Sequence, residues 1–182
     1  MDRGLVAAAQ GGDHEAFEAL AIGVADRLYA IARLILRDTD LARDAVQEAL
    51  VQAWRHLPGL RDPERFEAWM HRLVVNACAD EARRRRRSAV ISLIVPELRA
   101  DDDARTVGDR DLIERGFQRL SADQRAVVVL RYYLDQTVPE MARTLGVPEG
   151  TVKSRLHHSM AALRASHEAD FRAPLSGTER TA

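Results

Sequence analysis

Apolar residues recur every three or four positions along most of this chain, and the breaks between runs mark its elements. Phe17, Leu20, Val24, Leu28, Ile31 and Ile35 form the first series, which predicts an amphipathic helix over residues 14 to 36. The polar stretch from Arg37 to Asp40 interrupts it. A second helix is predicted over residues 40 to 57, with Ala42, Val46, Leu50, Ala53 and Leu57 on its apolar stripe and Pro58 and Gly59 as its stop. Asp62 followed by Pro63 reads as the cap and first-turn proline of a third helix. That helix carries Phe66, Met70, Leu73 and Ala77 toward five consecutive arginines, Arg83 to Arg87. Three helices with short connections predict one compact unit over residues 1–87.

The helical period lapses over residues 88–110, where proline, glycine and the acidic run Asp101 to Asp103 occur. The apolar part, Val90 to Val95, fits a strand or a segment laid on a neighbour, and the remainder fits a linker. Helical spacing returns near Asp111, with Leu112, Phe117 and Leu120 on a short helix. Ser121 with Gln124 is a capping-box pattern for the next helix, which carries Val127, Leu130 and Leu134. Thr137 with Glu140 repeats the pattern before a brief helix with Met141 and Leu145, Pro139 in its first turn and Gly146 after it. A turn and a longer helix follow in VPEGTVKSRLHHSMAALR, with Val152, Leu156 and Leu163 facing inward. A short helix, a glycine in the turn and a second helix with a polar outer face are the parts of a helix-turn-helix. The expected fold is all-α: two small helical domains joined by a linker, the C-terminal one a helix-turn-helix over residues 111–170, then a polar tail over 171–182.

Composition narrows the function classes. The chain has 182 residues, 46% hydrophobic and 30% charged, with a formal net charge of -1. That balance argues against indiscriminate polyanion binding and leaves room for a basic patch offset elsewhere. No run of about 18 apolar residues is present, and the first residues lack a basic-then-apolar signal pattern, so no membrane insertion and a cytoplasmic location are expected. The single cysteine, Cys78, falls in a helical run and reads as a small buried thiol. The six histidines are scattered apart from the adjacent pair His157 and His158, whose directions on a helix diverge too far for chelation. No catalytic group, metal site, glycine-rich phosphate loop or cofactor is expected.

Three surfaces carry candidate chemistry. Asn76, Asp80, Arg83, Arg84 and Arg87 share one polar side of the third helix, with the basic end placed at its C-terminus. A solvated, dipole-matched helix end and a phosphate contact both fit, and the density of guanidinium forks favours the phosphate. Asp44 and Glu48 lie one turn apart with Gln47 beside them, an anionic patch suited to a basic partner helix or to solvent. In the second unit Lys153, Ser154, His157 and His158 face away from the apolar stripe with Arg155 to one side, groups able to meet phosphates and base edges. Trp69 fits a core position or a brace for an unstacked base. An autonomous helix-turn-helix repressor accounts for the second unit alone, and a helical adaptor without DNA binding for neither basic surface.

The segments DTDLARDAVQEALVQAWRHLPGL, RFEAWMHRLVVNACADEARRRRR and LSADQRAVVVLRYYLDQTVPEMARTLGVPEGTVKSRLHHSMAALR resemble regions 2 and 4 of extracytoplasmic-function sigma factors of the sigma-70 family, in the family's order and over about residues 10 to 168. The resemblance implies a factor that binds bacterial core RNA polymerase, recognises the -10 and -35 elements of promoter DNA and promotes opening of the duplex. It implies polymerase binding by Asp44, Gln47 and Glu48, and -10 contacts by Trp69, Arg72, Asn76, Asp80, Arg83 and Arg84. It implies -35 contacts by Lys153, Ser154, Arg155, His157 and His158, where the two histidines replace residues that the family often has as aromatic or basic. An anti-sigma factor is a further partner that it admits.

Overall fold

The computed structural model describes residues 2–91 and 115–172, which are helical or in turns, with no strand among them. They belong to two compact units.

In the N-terminal unit, α1 (Arg3–Gln10), α2 (His14–Leu36), α3 (Thr39–His56) and α4 (Phe66–Ile91) follow one another through short connections. Each start is capped by an aspartate whose backbone is extended. Asp2 accepts from the Gly4 amide, Asp13 from Glu15 and Ala16, and Asp38 from Asp40 and Leu41. Asp62 caps a single 3-10 turn, Pro63–Arg65, that leads into α4. Between α2 and α3 only two residues intervene, because Arg37 takes a left-handed conformation with φ 58° and turns the chain at once.

The core forms where α2 packs against α1, α3 and α4, and α3 against α4. Leu20, Val24, Leu28, Ile31 and Ile35 of α2 are buried, each contributing about 1.5–3 kcal/mol of transfer free energy. The buried stripe of α3 is Ala42, Ala45, Ala49 and Ala53, ending at Leu57. The predicted stripe is therefore corrected: Val46 and Leu50 are half-buried at its flank. Small side chains let α3 lie close to two neighbours at once, and larger ones seal the edge of the contact. On α4 the buried residues are Phe66, Met70, Val74, Val75, Ala77 and Cys78, with Leu73 only half-buried.

Helix α1 lay outside the predicted elements. Val6 and Ala9 bury its inner side, and the Gln10 amide donates to the carbonyls of Leu57 (3.1 Å) and Leu60 (2.7 Å), tying it to the connection before α4. A second correction concerns α4, which continues through all five arginines to Ile91 and holds no basic residue in its last turn. The macrodipole acts over that last turn only, so it does not stabilise the arginine run. The predicted boundary at residue 87 thus falls inside a helix. Val90 and Ile91 of the expected apolar segment are helical, while residues 92–95 lie outside the described residues.

In the C-terminal unit residues 115–118 are helical and Leu120 is buried; Leu112 lies outside the described residues. Helix α5 (Ala122–Val128) starts with the predicted capping box: Gln124 N donates to Ser121 Oγ at 3.3 Å, and Ser121 N to Gln124 Oε1 at 2.9 Å. It continues into one π turn, Val129–Tyr133, with Val127 and Leu130 buried and Leu134 half-buried. Helix α6 (Val138–Leu145) begins with Pro139 in its first turn, and Glu140 Oε2 accepts from both the amide and the hydroxyl of Thr137. Gly146 follows at φ 64°, and Val147 N donates to Ala142 O at 3.2 Å, the six-to-one bond of a left-handed helix stop. Helix α7 (Glu149–Arg172) packs against α5, with Val152 buried and Leu156 and Leu163 half-buried. It extends two residues beyond the predicted end at 170; residues 173–182 lie outside the described residues.

Candidate nucleic-acid and protein interfaces

The three candidate surfaces follow from which sides of α3, α4 and α7 remain uncovered. On α3, alanines 42, 45, 49 and 53 face the core, so Asp44, Gln47 and Glu48 emerge on the opposite side, all exposed. Glu48 accepts from the Gln52 amide at 2.8 Å, and Gln52 in turn meets His56 Nε2 at 3.2 Å. Among the described residues neither Asp44 nor Glu48 forms an ion pair, so both carboxylates are available to a cationic partner. Val51, also exposed, continues this side one turn further on.

Along α4, Trp69, Arg72, Asn76, Asp80 and Arg83 fall on one side at helical spacing, with Arg84 adjacent. From Trp69 to Arg84 this side is about 22 Å long at 1.5 Å per residue, room for several nucleotides of an extended strand. Arg72, Asn76, Asp80, Arg83 and Arg84 are exposed, whereas Trp69 is half-buried with its ring tilted against Phe66 at 6.0 Å. Trp69 thus has a core-facing part and an accessible part. The arginines are held: Arg83 pairs with Asp80, Arg84 with Glu81 at 3.0 Å, and Arg85 reaches back to Asp38 at 3.3 Å. Asp38 serves two elements at once, its Oδ1 capping α3 and its Oδ2 meeting Arg85.

Sequence spacing made the Asp80/Arg83 and Glu81/Arg84 pairs available, since residues three apart share a helix side. The Asp38–Arg85 pair spans 47 residues and has no local signal. Nearby on α4, burial lowers the pKa of His71, Arg27 adds to the lowering and Glu67 opposes it. Cys78 is buried and free, and desolvation pushes its thiol up to about 12, as befits a packing residue.

On α7, Lys153, Ser154, His157 and His158 are exposed together. Arg155 differs: it is half-buried, and its Nη2 lies 3.8 Å from Asp123 of α5. Behind it Ser159, buried, donates its hydroxyl to the carbonyls of Arg155 (2.7 Å) and Gln124 (3.4 Å) and so joins α7 to α5. Sequence reasoning passed over Ser159, because a serine in an amphipathic helix carries no sign that it faces inward.

This two-unit layout matches known families. Residues 23–88 match the model of Sigma-70 region 2, and residues 110–163 that of Sigma-70, region 4. The extracytoplasmic-function (ECF) RNA polymerase sigma factor SigM of Mycobacterium tuberculosis strain H37Rv is 36% identical over 89% of this chain and 82% of its own length. The chain belongs to the ECF sigma factors. This sigma factor is also 37% identical to SigL of the M. tuberculosis Erdman strain, over 75% of the chain and 80% of the relative.

Among solved structures, RpoE of Bartonella quintana, crystallised with the anti-sigma factor NepR, superposes with a TM-score of 0.66 at 25% identity, covering 85% of this chain and 98% of that one. CnrH in complex with the cytosolic domain of CnrY gives 0.62 at 29% identity, over 93% and 98%. The sigma factor therefore acts in transcription initiation, with RNA polymerase and promoter DNA as its partners, and is not an enzyme. Family membership sets aside the repressor and adaptor readings. No described helix is long and apolar enough to cross a membrane.

Proposed function

We propose that the three uncovered helix sides divide the work of initiation. Asp44, Gln47 and Glu48 on α3 dock on core polymerase; Trp69, Arg72, Asn76, Asp80, Arg83 and Arg84 on α4 engage the opened -10 strand; and Lys153, Ser154, His157 and His158 on α7 read the -35 duplex. Arg155, held toward Asp123, braces α7 and reaches a phosphate from its flank. The N-terminal unit thus serves -10 recognition and polymerase binding and the C-terminal unit -35 recognition, in a cytoplasmic protein. An anti-sigma factor is a proposed regulatory partner, because a solved relative was crystallised with one.

The observation that carries this reading is the opposition on α3 between a fully buried alanine stripe and a carboxylate pair exposed without an ion-pair partner among the described residues. Charge left in that state contributes little to the fold and is poised to complement a cationic partner surface. The test is charge reversal. Asp44→Lys with Glu48→Lys in the full chain should lower core-polymerase affinity by about tenfold or more, read by titrating labelled protein into core enzyme. Circular dichroism should remain that of the parent. Unchanged affinity in the folded double variant would remove the polymerase assignment from this surface.

A further inference from the structure

His158 has a ring whose tautomer is set by the helix that carries it. Its Nδ1 lies 2.7 Å from the carbonyl oxygen of Ser154, one turn earlier. A carbonyl oxygen only accepts, so Nδ1 must bear the proton. Ser154 Oγ stands 3.4 Å from the same nitrogen, and the His157 ring stands edge-on to His158 with centroids 5.7 Å apart. In a neutral imidazole a proton fixed on Nδ1 leaves Nε2 with a lone pair. Among the described residues none takes that lone pair, and the side chain is exposed beside Lys153, Ser154 and His157.

We propose that His158 is a specificity-determining residue that presents a hydrogen-bond acceptor to the -35 duplex and selects a base with an exocyclic amino group in the major groove. The inference rests on the reading of α7 as the -35 helix. Adenine offers N6–H and cytosine N4–H to an acceptor, whereas guanine turns N7 and O6 outward and thymine turns O4, setting lone pair against lone pair. An arginine at the same place would fork onto guanine. The preference is thus reversed by one residue, and because the group that fixes the ring is a main-chain carbonyl, the acceptor persists when neighbouring side chains change.

The experiment is a selection of promoter duplexes with a randomised -35 segment, using polymerase holoenzyme assembled with the full chain. His158→Ala, His158→Arg and Lys153→Ala holoenzymes are run alongside. The parent should favour, at one position, the base pairs that put adenine or cytosine on the strand that His158 faces, by about fivefold or more over the same pairs reversed. His158→Ala should flatten that position alone, and His158→Arg should move it to guanine. Replacing the chosen base by its analogue without the amino group should weaken the parent and leave His158→Ala unchanged. If the analogue without the amino group is bound by the parent as well as the chosen base is, the acceptor assignment is overturned, because every base pair carries one such amino group and only its removal tests the contact. It is equally overturned if only Lys153→Ala alters any position. If none of the three variants alters any position, it is the reading of α7 as the -35 helix that fails.

Discussion

Asp38 is the residue at which one substitution separates two supports of the fold. Asp38→Ala removes both hydrogen bonds that cap α3, at 3.1 and 3.0 Å, and the contact with Arg85 at 3.3 Å. An N-cap contributes about 1 kcal/mol, within a range of about 0.5–2. The ion pair is more exposed, with Arg85 at 53% and Asp38 at 26%, so solvent screening holds it to about 1 kcal/mol or less. Asp38→Asn keeps the cap, for which asparagine equals aspartate, and loses only the charge. The alanine variant should therefore cost about 1–2 kcal/mol and the asparagine variant well under about 1.

Urea unfolding followed by tryptophan fluorescence measures this in the right place, because both tryptophans, Trp54 and Trp69, lie in the N-terminal unit. With a slope of about 1–3 kcal/mol per molar, the alanine variant should shift the midpoint by about 0.3–2 M. Arg85→Ala should cost as much as Asp38→Asn in the parent and nothing further in the Asp38→Asn background. An asparagine variant as unstable as the alanine variant would refute the capping argument, and an unchanged midpoint for Asp38→Ala would refute both.

Arg83→Gln with Arg84→Gln should impair open-complex formation and lower the salt dependence of DNA engagement with polymerase binding retained, whereas the same change at Arg86 and Arg87 should cost less; permanganate footprinting of unpaired thymines across salt concentrations checks this. His71 has a folded pKa below its unfolded value, so the stability it contributes is present above about pH 6.5 and lost as pH falls through the folded pKa; His71→Gln should flatten that acid limb of a stability-versus-pH curve. The Cys78 thiol, pushed up to about 12, should stay protonated and inert to a disulfide reagent at about pH 8 in the native protein and react once urea unfolds it. Gly146→Ala forces a side chain into left-handed backbone and should cost about 1–2 kcal/mol, visible as faster amide exchange in α6 and α7.

Most helices were legible because they bury one side and carry their own caps. The series from Leu20 to Ile35 and the Ser121/Gln124 box both announce elements locally, and both are present. Misreadings arose where packing overrides size. Val46 and Leu50 look like core residues of α3, yet close approach to α2 and α4 favours Ala45 and Ala49, which a hydrophobicity pattern undervalues. Helix α1 is short and alanine-rich, and its anchorage through Gln10 is to carbonyls 47 and 50 residues away. The extent of α4 was obscured by five like charges in succession. Arginine is nonetheless a good helix former, and Asp80, Glu81 and Asp38 offset the repulsion. On the candidate interfaces the exposure of Asp44, Glu48 and Lys153 was readable from helical spacing, whereas the inward turn of Arg155 depends on Asp123 of another helix.

The unbroken course of α4 from Phe66 to Ile91 gives its polar side the character of a ruler with a phase. Each residue advances the surface by about 1.5 Å and turns it by about 100°. Inserting one residue between Asn76 and Arg83 would swing the arginines away from the line that begins at Trp69 while leaving composition and charge almost untouched. Inserting seven would bring them back into line, displaced by about 10 Å. What variation along α4 must preserve is therefore the angular relation between its two ends, and substitutions that keep count are cheaper than the smallest change in length.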